Sequence, residues 1–170
     1  DQQTTLITIT VNQGHTKKFL LPKLNQDESY QLIVSEQSID IRAATDFGAL
    51  HALSTLNQLL YFAKDTKQLP ELTINDMPRF PWRGLMLDSV HHFISIEAVK
   101  RQIDGMAAAK LNVFHWHLTD DQGWRIESKS YPKLHEEASD GQYYSQEQIK
   151  DVVVYAAKLG IRVVPEFDVP

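Results

Sequence analysis

Apolar positions set a rhythm along the chain, and the rhythm changes near the middle. Leu6-Ile7-Thr8-Ile9-Thr10-Val11 alternates with period two, which predicts a strand with Ile7, Ile9 and Val11 on one face. Tyr30 to Val34 and Ile39 to Ala43 read as two more short strands. From about Asp46 to Phe62 the apolar spacing becomes helical. Phe47, Leu50, Leu53, Leu56 and Leu60 form the predicted stripe, and Thr45 or Asp46 is the N-cap. Leu72-Thr73-Ile74 fits a strand returning to the sheet. This half therefore reads as a small α+β unit. A junction follows at Asn75-Asp76-Met77-Pro78-Arg79-Phe80-Pro81, where two prolines within four positions favour extended, punctuated chain. The expected division is 1–77 and 78–170.

Beyond the junction the strands become nearly continuous apolar runs. Gly84-Leu85-Met86-Leu87-Asp88 is the first. Ser95 then caps a predicted helix with Val99, Ile103, Met106 and Ala107 inward. Asn112 to Leu118 is the second strand, followed by a long loop. Ser145-Gln146-Glu147-Gln148 has the form of a capping box. The helix it opens is lined by Ile149, Val152, Val153, Ala156 and Leu159, with Gly160 suited to its C′ position. Ile161 to Val164 is the third strand, and Pro165 is expected to end its ladder, since proline donates no backbone hydrogen bond. The order β-α-β-α-β with continuous apolar strands predicts a parallel sheet buried on both faces. An open doubly wound sheet and a (β/α)8 barrel both fit that order.

Composition narrows the function classes. The formal net charge of −5 over 170 residues lacks the basic footprint of a nucleic-acid binder. No apolar run approaches the roughly 18 residues that a membrane-spanning helix needs. The absence of cysteine excludes disulfides and thiolate metal sites but leaves the compartment open. The start at Asp1 suits a processed leader or a fragment, and an extracytoplasmic location, periplasmic or secreted, is the one preferred.

In either architecture ligands bind beyond the carboxyl ends of the strands. Asp88, Ser89, Val90, His91 and His92 follow the first strand. His115, Trp116, His117, Thr119, Asp120, Asp121, Gln122 and Trp124 lie in or after the second. Glu166 and Asp168 follow the third. Carboxylates with indoles suit a carbohydrate, because carboxylates accept hydroxyl hydrogen bonds and indole faces cover the C–H side of a sugar ring. Plainer readings stand beside this one. Asp120 and Asp121 can simply end a strand and cap a turn, and Trp116 can be core. His15, His51 and His135 receive no role, His51 falling in a helix and the other two in loops. His115 and His117, two apart on a strand, project to one face. With a nearby acid they offer the alternative of a metal-dependent hydrolase, although packing and hydrogen bonding account for them without a metal.

From Trp82 onward the chain is similar to the catalytic barrel of family 20 glycoside hydrolases, the β-N-acetylhexosaminidases. The residues that carry the resemblance are Trp82-Arg83-Gly84-Leu85-Met86-Leu87-Asp88, Leu111 to Gln122, Glu127-Ser128-Lys129-Ser130-Tyr131-Pro132, and Gly160 to Pro170. The first half resembles, more loosely, the α+β domain that precedes that barrel. The resemblance implies an α/β fold: the start of a (β/α)8 TIM barrel, with about three of its βα strands, behind a small α+β domain. It implies removal of terminal β-linked N-acetylhexosamine from glycans without a cofactor. The substrate's own acetamido oxygen attacks the anomeric carbon, an exception to the two-carboxylate scheme.

In that scheme a glutamic acid protonates the leaving oxygen and an aspartate orients the acetamido group. The family carries this pair after its fourth strand, outside these 170 residues, so the chain alone is expected not to hydrolyse. Its exposed parallel edge favours self-association. Asp120 matches the family aspartate that hydrogen-bonds a histidine meeting the acid glutamate. Asp88 matches the acid closing the first strand. His91 stands where the family usually has an arginine that forks onto sugar hydroxyls. Imidazole offers at most two donors against the five of a guanidinium, so weaker sugar binding is expected. A non-catalytic sugar-binding relative is the alternative that His91 suggests.

Overall fold

The computed structural model describes residues 5–12 and 21–169; His15 lies outside them. The chain forms two compact units divided between Pro81 and Trp82, with residues 21–24 belonging to the second.

In the first unit β1 (Leu6–Val11), β2 (Tyr30–Val34), β3 (Ser38–Ala43) and β4 (Leu72–Asp76) form a sheet of order β1-β3-β2-β4, and α1 (Asp46–Phe62) packs on it. β1 runs parallel to β3, while β2 is antiparallel to both its neighbours. Alternation places Tyr30, Leu32 and Val34 opposite Ala43, Ile41 and Ile39, and these six form the core with Ala49, Ala52 and Leu56 of α1. Thr45 caps the helix, its side-chain oxygen accepting from Gly48 N at 3.2 Å.

One expectation for this unit is corrected. The buried face of α1 is Gly48, Ala49, His51, Ala52 and Leu56, whereas Leu53 and Leu60 are exposed. The helix lies too close to the chain beneath for a stripe of leucines: a Cβ at Gly48 would collide with the Ser29 carbonyl oxygen. Small residues therefore face inward, and buried His51 lies 3.8 Å from the Glu28 carboxylate. Ile7 and Ile9 are also exposed, because β1 is an edge strand and α1 packs chiefly over β2 and β3.

The second unit contains β5 (Gly84–Asp88), α2 (Ile96–Ala108), β6 (Val113–Asp120), β7 (Gly123–Trp124), α3 (Lys133–Glu137), α4 (Gln146–Lys158) and β8 (Arg162–Phe167). β5, β6 and β8 are parallel and adjacent in chain order, with β7 an antiparallel hairpin partner at the end of β6. Val99, Ile103 and Met106 of α2 and Val152 and Ala156 of α4 share one core with Phe114, Trp116 and Leu118 of β6. Both connecting helices thus cover the same sheet face. A doubly wound sheet distributes its helices over both faces; sequential parallel strands with helices on one side open a (β/α)8 barrel.

Burial on both strand faces holds for the central strand β6, where Val113 and His117 are buried on one face and Phe114, Trp116 and Leu118 on the other, but not for β5 and β8 among the described residues. The face opposite the helices carries exposed Met86 and the polar side chains of His115, His117 and Glu166. β8 also continues through Pro165 to Phe167. Among the described residues β8 pairs with β6 alone, and a strand with one paired side tolerates a residue without an N–H. His135, expected in a loop, is buried in α3, where its Nδ1 accepts from Ser128 N at 3.2 Å.

Ser145 and Gln148 form the reciprocal capping box of α4, at 3.1 and 2.8 Å. Replacing Ser145 by Ala leaves one helix N–H unpaired and is expected to destabilise the barrel unit by about 1 kcal/mol. Chemical denaturation with an unchanged m-value checks this.

Candidate active site

The parallel register builds the site. Asp88 of β5 stands opposite His117 of β6, which stands opposite Glu166 of β8. Partners in adjacent strands share a face, so three titratable side chains line up across the carboxyl ends of three strands. Two residues earlier the corresponding row is Met86, His115 and Val164.

The loop after β5 is tightly held. Asp88 Oδ1 accepts from Val90 N at 2.8 Å and His91 N at 3.2 Å, and Asp88 Oδ2 lies 2.5 Å from His91 Nδ1. Burial works against ionisation of Asp88. The Val90 amide, the His91 ring and the His91 amide outweigh it, and the carboxyl lies below its ordinary pKa. Ser89 is buried and its Oγ accepts from the Trp116 indole at 2.9 Å, so Trp116 is core, with its polar edge satisfied. Arg125, also buried, donates Nε and Nη2 to the Val90 carbonyl at 3.2 and 2.9 Å and Nη1 to the carbonyls of Ser139 and Gln142 at 2.6 and 3.3 Å. Tyr144 closes the far end of the loop by donating to the Ile94 carbonyl. Arg125 does not stand out in the sequence. Nothing in its spacing signals that a guanidinium will be buried against carbonyls far away in the chain.

His117 occupies the centre. Its side chain is 8% exposed, with Nδ1 3.0 Å from Glu166 Oε2 and Nε2 3.2 Å from Asp120 Oδ2. His115 Nε2 reaches the same Glu166 oxygen at 2.9 Å, and the ring of His91 stacks at 6.4 Å from that of His117, 15° from parallel. Burial opposes charging His117, but the hydrogen bond and charge of Glu166, with help from Asp120 and Asp88, prevail and raise its pKa.

His117 and Asp120 are three apart, which in an unbroken strand puts them on opposite faces. The register irregularity between His117 and Thr119, followed by the β6–β7 turn, brings Asp120 round to the His117 ring. Asp120 Oδ1 meanwhile accepts from Asp121 N at 2.7 Å. The carboxylate therefore caps the turn, as the plain reading expects, and also pairs with a histidine. The Asp121 amide, followed by the His117 ring, carries its pKa below the ordinary value against the opposing effect of burial. Thr119 anchors the chain after β8 by donating to the Asp168 carbonyl at 2.8 Å.

Asp88, His91 and Asp120 thus gather around His117, together with Glu166. Glu166 was noted in the sequence as following the third strand, without a role. The pair behind the metal alternative, His115 and His117, converges on one Glu166 oxygen. His117, Asp120 and Asp168 also bring ligand-type atoms within 4.8 Å of one another. Each ring nitrogen of His117 lies at hydrogen-bonding distance of a carboxylate, so protons account for the arrangement.

The chain is similar to proteins of known activity. A family described as glycosyl hydrolase family 20, catalytic domain, matches residues 80–170, and one described as beta-acetyl hexosaminidase like matches residues 1–59. A beta-hexosaminidase from Vibrio furnissii is 43% identical over 160 residues, covering 84% of this chain and 26% of its own. A chitobiase structure from Flavobacterium johnsoniae superposes with a TM-score of 0.85 and 50% identity, over 96% of this chain and 24% of its own. An exo beta-N-acetylglucosaminidase from Vibrio harveyi, solved with N-acetylglucosamine, gives a TM-score of 0.77 and 40% identity over 96% of this chain and 27% of its own. The chain spans about a quarter of the length of these relatives.

The raised pKa of His117 has a consequence for stability. A group whose folded pKa exceeds its unfolded one stabilises fully below the unfolded value, here about 6.5, and that contribution is lost as pH rises through the folded value. Asp88 and Asp120 act in the opposite sense, losing their contribution as pH falls through their lowered values. Calorimetric melting of the barrel unit is therefore expected to decline as pH rises above about 6.5, and His117→Gln should flatten that decline.

Proposed function

This chain belongs to glycosyl hydrolase family 20, and from that membership we propose that the whole protein removes terminal β-linked N-acetylhexosamine from glycans by substrate-assisted retaining hydrolysis. The observation that carries the reading is the gathering of Asp88, His91 and Asp120 around one buried imidazole at the carboxyl ends of β5 and β6. In this reading residues 1–77 are the α+β domain that precedes the barrel, and 78–170 begin the catalytic barrel. The proton donor and the acetamido-orienting aspartate belong to a later strand, and this stretch contributes sugar binding and support of the acid.

His91 meets the substrate. Its Nδ1 is engaged by Asp88, an acceptor when ionised, so Nδ1 carries the proton and Nε2 is turned to the sugar. The neutral ring then accepts from a hydroxyl, and the charged ring donates to one. An arginine in this place would fork onto two hydroxyls at once. Asp120 supports the acid through the next histidine of the relay, holding its tautomer and orientation.

A second reading, a sugar-binding relative without turnover, is motivated by the same His91. A chromogenic N-acetylglucosaminide separates the two. The whole protein is expected to release the chromophore, and His91→Arg to lower KM about tenfold, the worth of one added charge-assisted hydrogen bond. Background release from both proteins would leave the binding reading standing.

A further inference from the structure

A ring nitrogen of His117 faces a carboxylate on each side, Glu166 at 3.0 Å and Asp120 at 3.2 Å. Neutral imidazole has one N–H. Between two ionised carboxylates it would have to turn a lone pair on one of them, in a place nearly closed to water. The doubly protonated ring donates to both. Glu166 is itself fixed, because the oxygen that meets His117 also meets His115 Nε2 at 2.9 Å. The groups facing His117 from the other elements are Asp88, opposite it on β5, the stacked ring of His91 in the loop after β5, and Asp168 after β8. Four of the five groups around the ring are carboxylates, and three of them, Glu166, Asp120 and Asp88, favour its charged form.

We propose that His117 is a positioning residue for Asp120: held as an imidazolium by Glu166, with His115 anchoring Glu166, it aims the Asp120 carboxylate and keeps it ionised. The proposal rests on the hydrolase reading for its catalytic consequence. Asp120 is partly exposed and is held by residue 121 and by this ring. Removing the positive charge while keeping a donor leaves Asp120 more basic. It then protonates at higher pH and ceases to accept from its partner in the acid relay. The relay of charges runs Glu166, His117, Asp120, so neutralising Glu166 has the same effect from one step further away.

The test uses the whole protein and two variants that preserve shape, His117→Gln and Glu166→Gln. In both, the acid limb of kcat/KM on a chromogenic N-acetylglucosaminide is expected to move up by about one pH unit, the effect of losing an opposite charge at contact distance. A merely structural role would lower turnover alike at every pH. Nitrogen-15 NMR of the wild-type imidazoles supplies a readout independent of activity: His117 should carry protons on both nitrogens at pH 7.5. A single-proton tautomer there would overturn the proposal, and so would unshifted acid limbs in two active variants. If the wild-type protein turns over no substrate, the hydrolase reading fails, while the NMR result still decides the charge of His117.

Discussion

The alignment of β5, β6 and β8 is the constraint on which the site depends. Side chains alternate between the two faces of a strand, so a slip of one residue would exchange every one of them. The register is fixed by the face turned to the helices. Leu85, Leu87, Phe114, Trp116, Leu118 and Val163 pack with α2 and α4 on that side. Given that packing, Asp88, His117 and Glu166 have no choice but to share the other face. The apolar layer therefore positions the polar one.

The loop after β5 is held by an economy of backbone carbonyls. Arg125 is buried and spends its donors on the carbonyls of Val90, Ser139 and Gln142. These contacts fix the chain immediately before His91, while the Asp88 carboxylate fixes it from the other side. His91 remains 54% exposed on an immobilised backbone. That combination, a rigid base under an accessible ring, suits a group that must meet a ligand without rearrangement. It also bounds what imidazole can do in place of guanidinium, since one nitrogen is already engaged with Asp88.

Much of the fold was legible because its signals are local. The caps at Thr45, Ser95 and Ser145, the glycine at position 160 with φ of 76°, and the strand cores of both units all follow from neighbouring residues. The failures have a common origin in packing distance. Five large residues at near-helical spacing made a convincing stripe on α1, yet the close approach at Gly48 selected Ala49 and Ala52 for the inner face. Pro165 read as a terminator because a sequence does not say which side of a strand is paired. The β7 hairpin was too short to have a pattern of its own.

The sequence by itself determined that acids and histidines follow successive strands, and its motifs carried the family resemblance, because strand order and strand ends are properties of the local pattern. Tertiary structure decided which of those groups meet. Glu166 joins both histidines through β6–β8 pairing across nearly fifty residues of chain, and Asp120 reaches His117 through a break in the ladder that no periodicity announces. Local patterns follow from the bonding and side-chain preferences of near neighbours. The meeting of distant charges follows from register and packing, which exist only once the chain has folded.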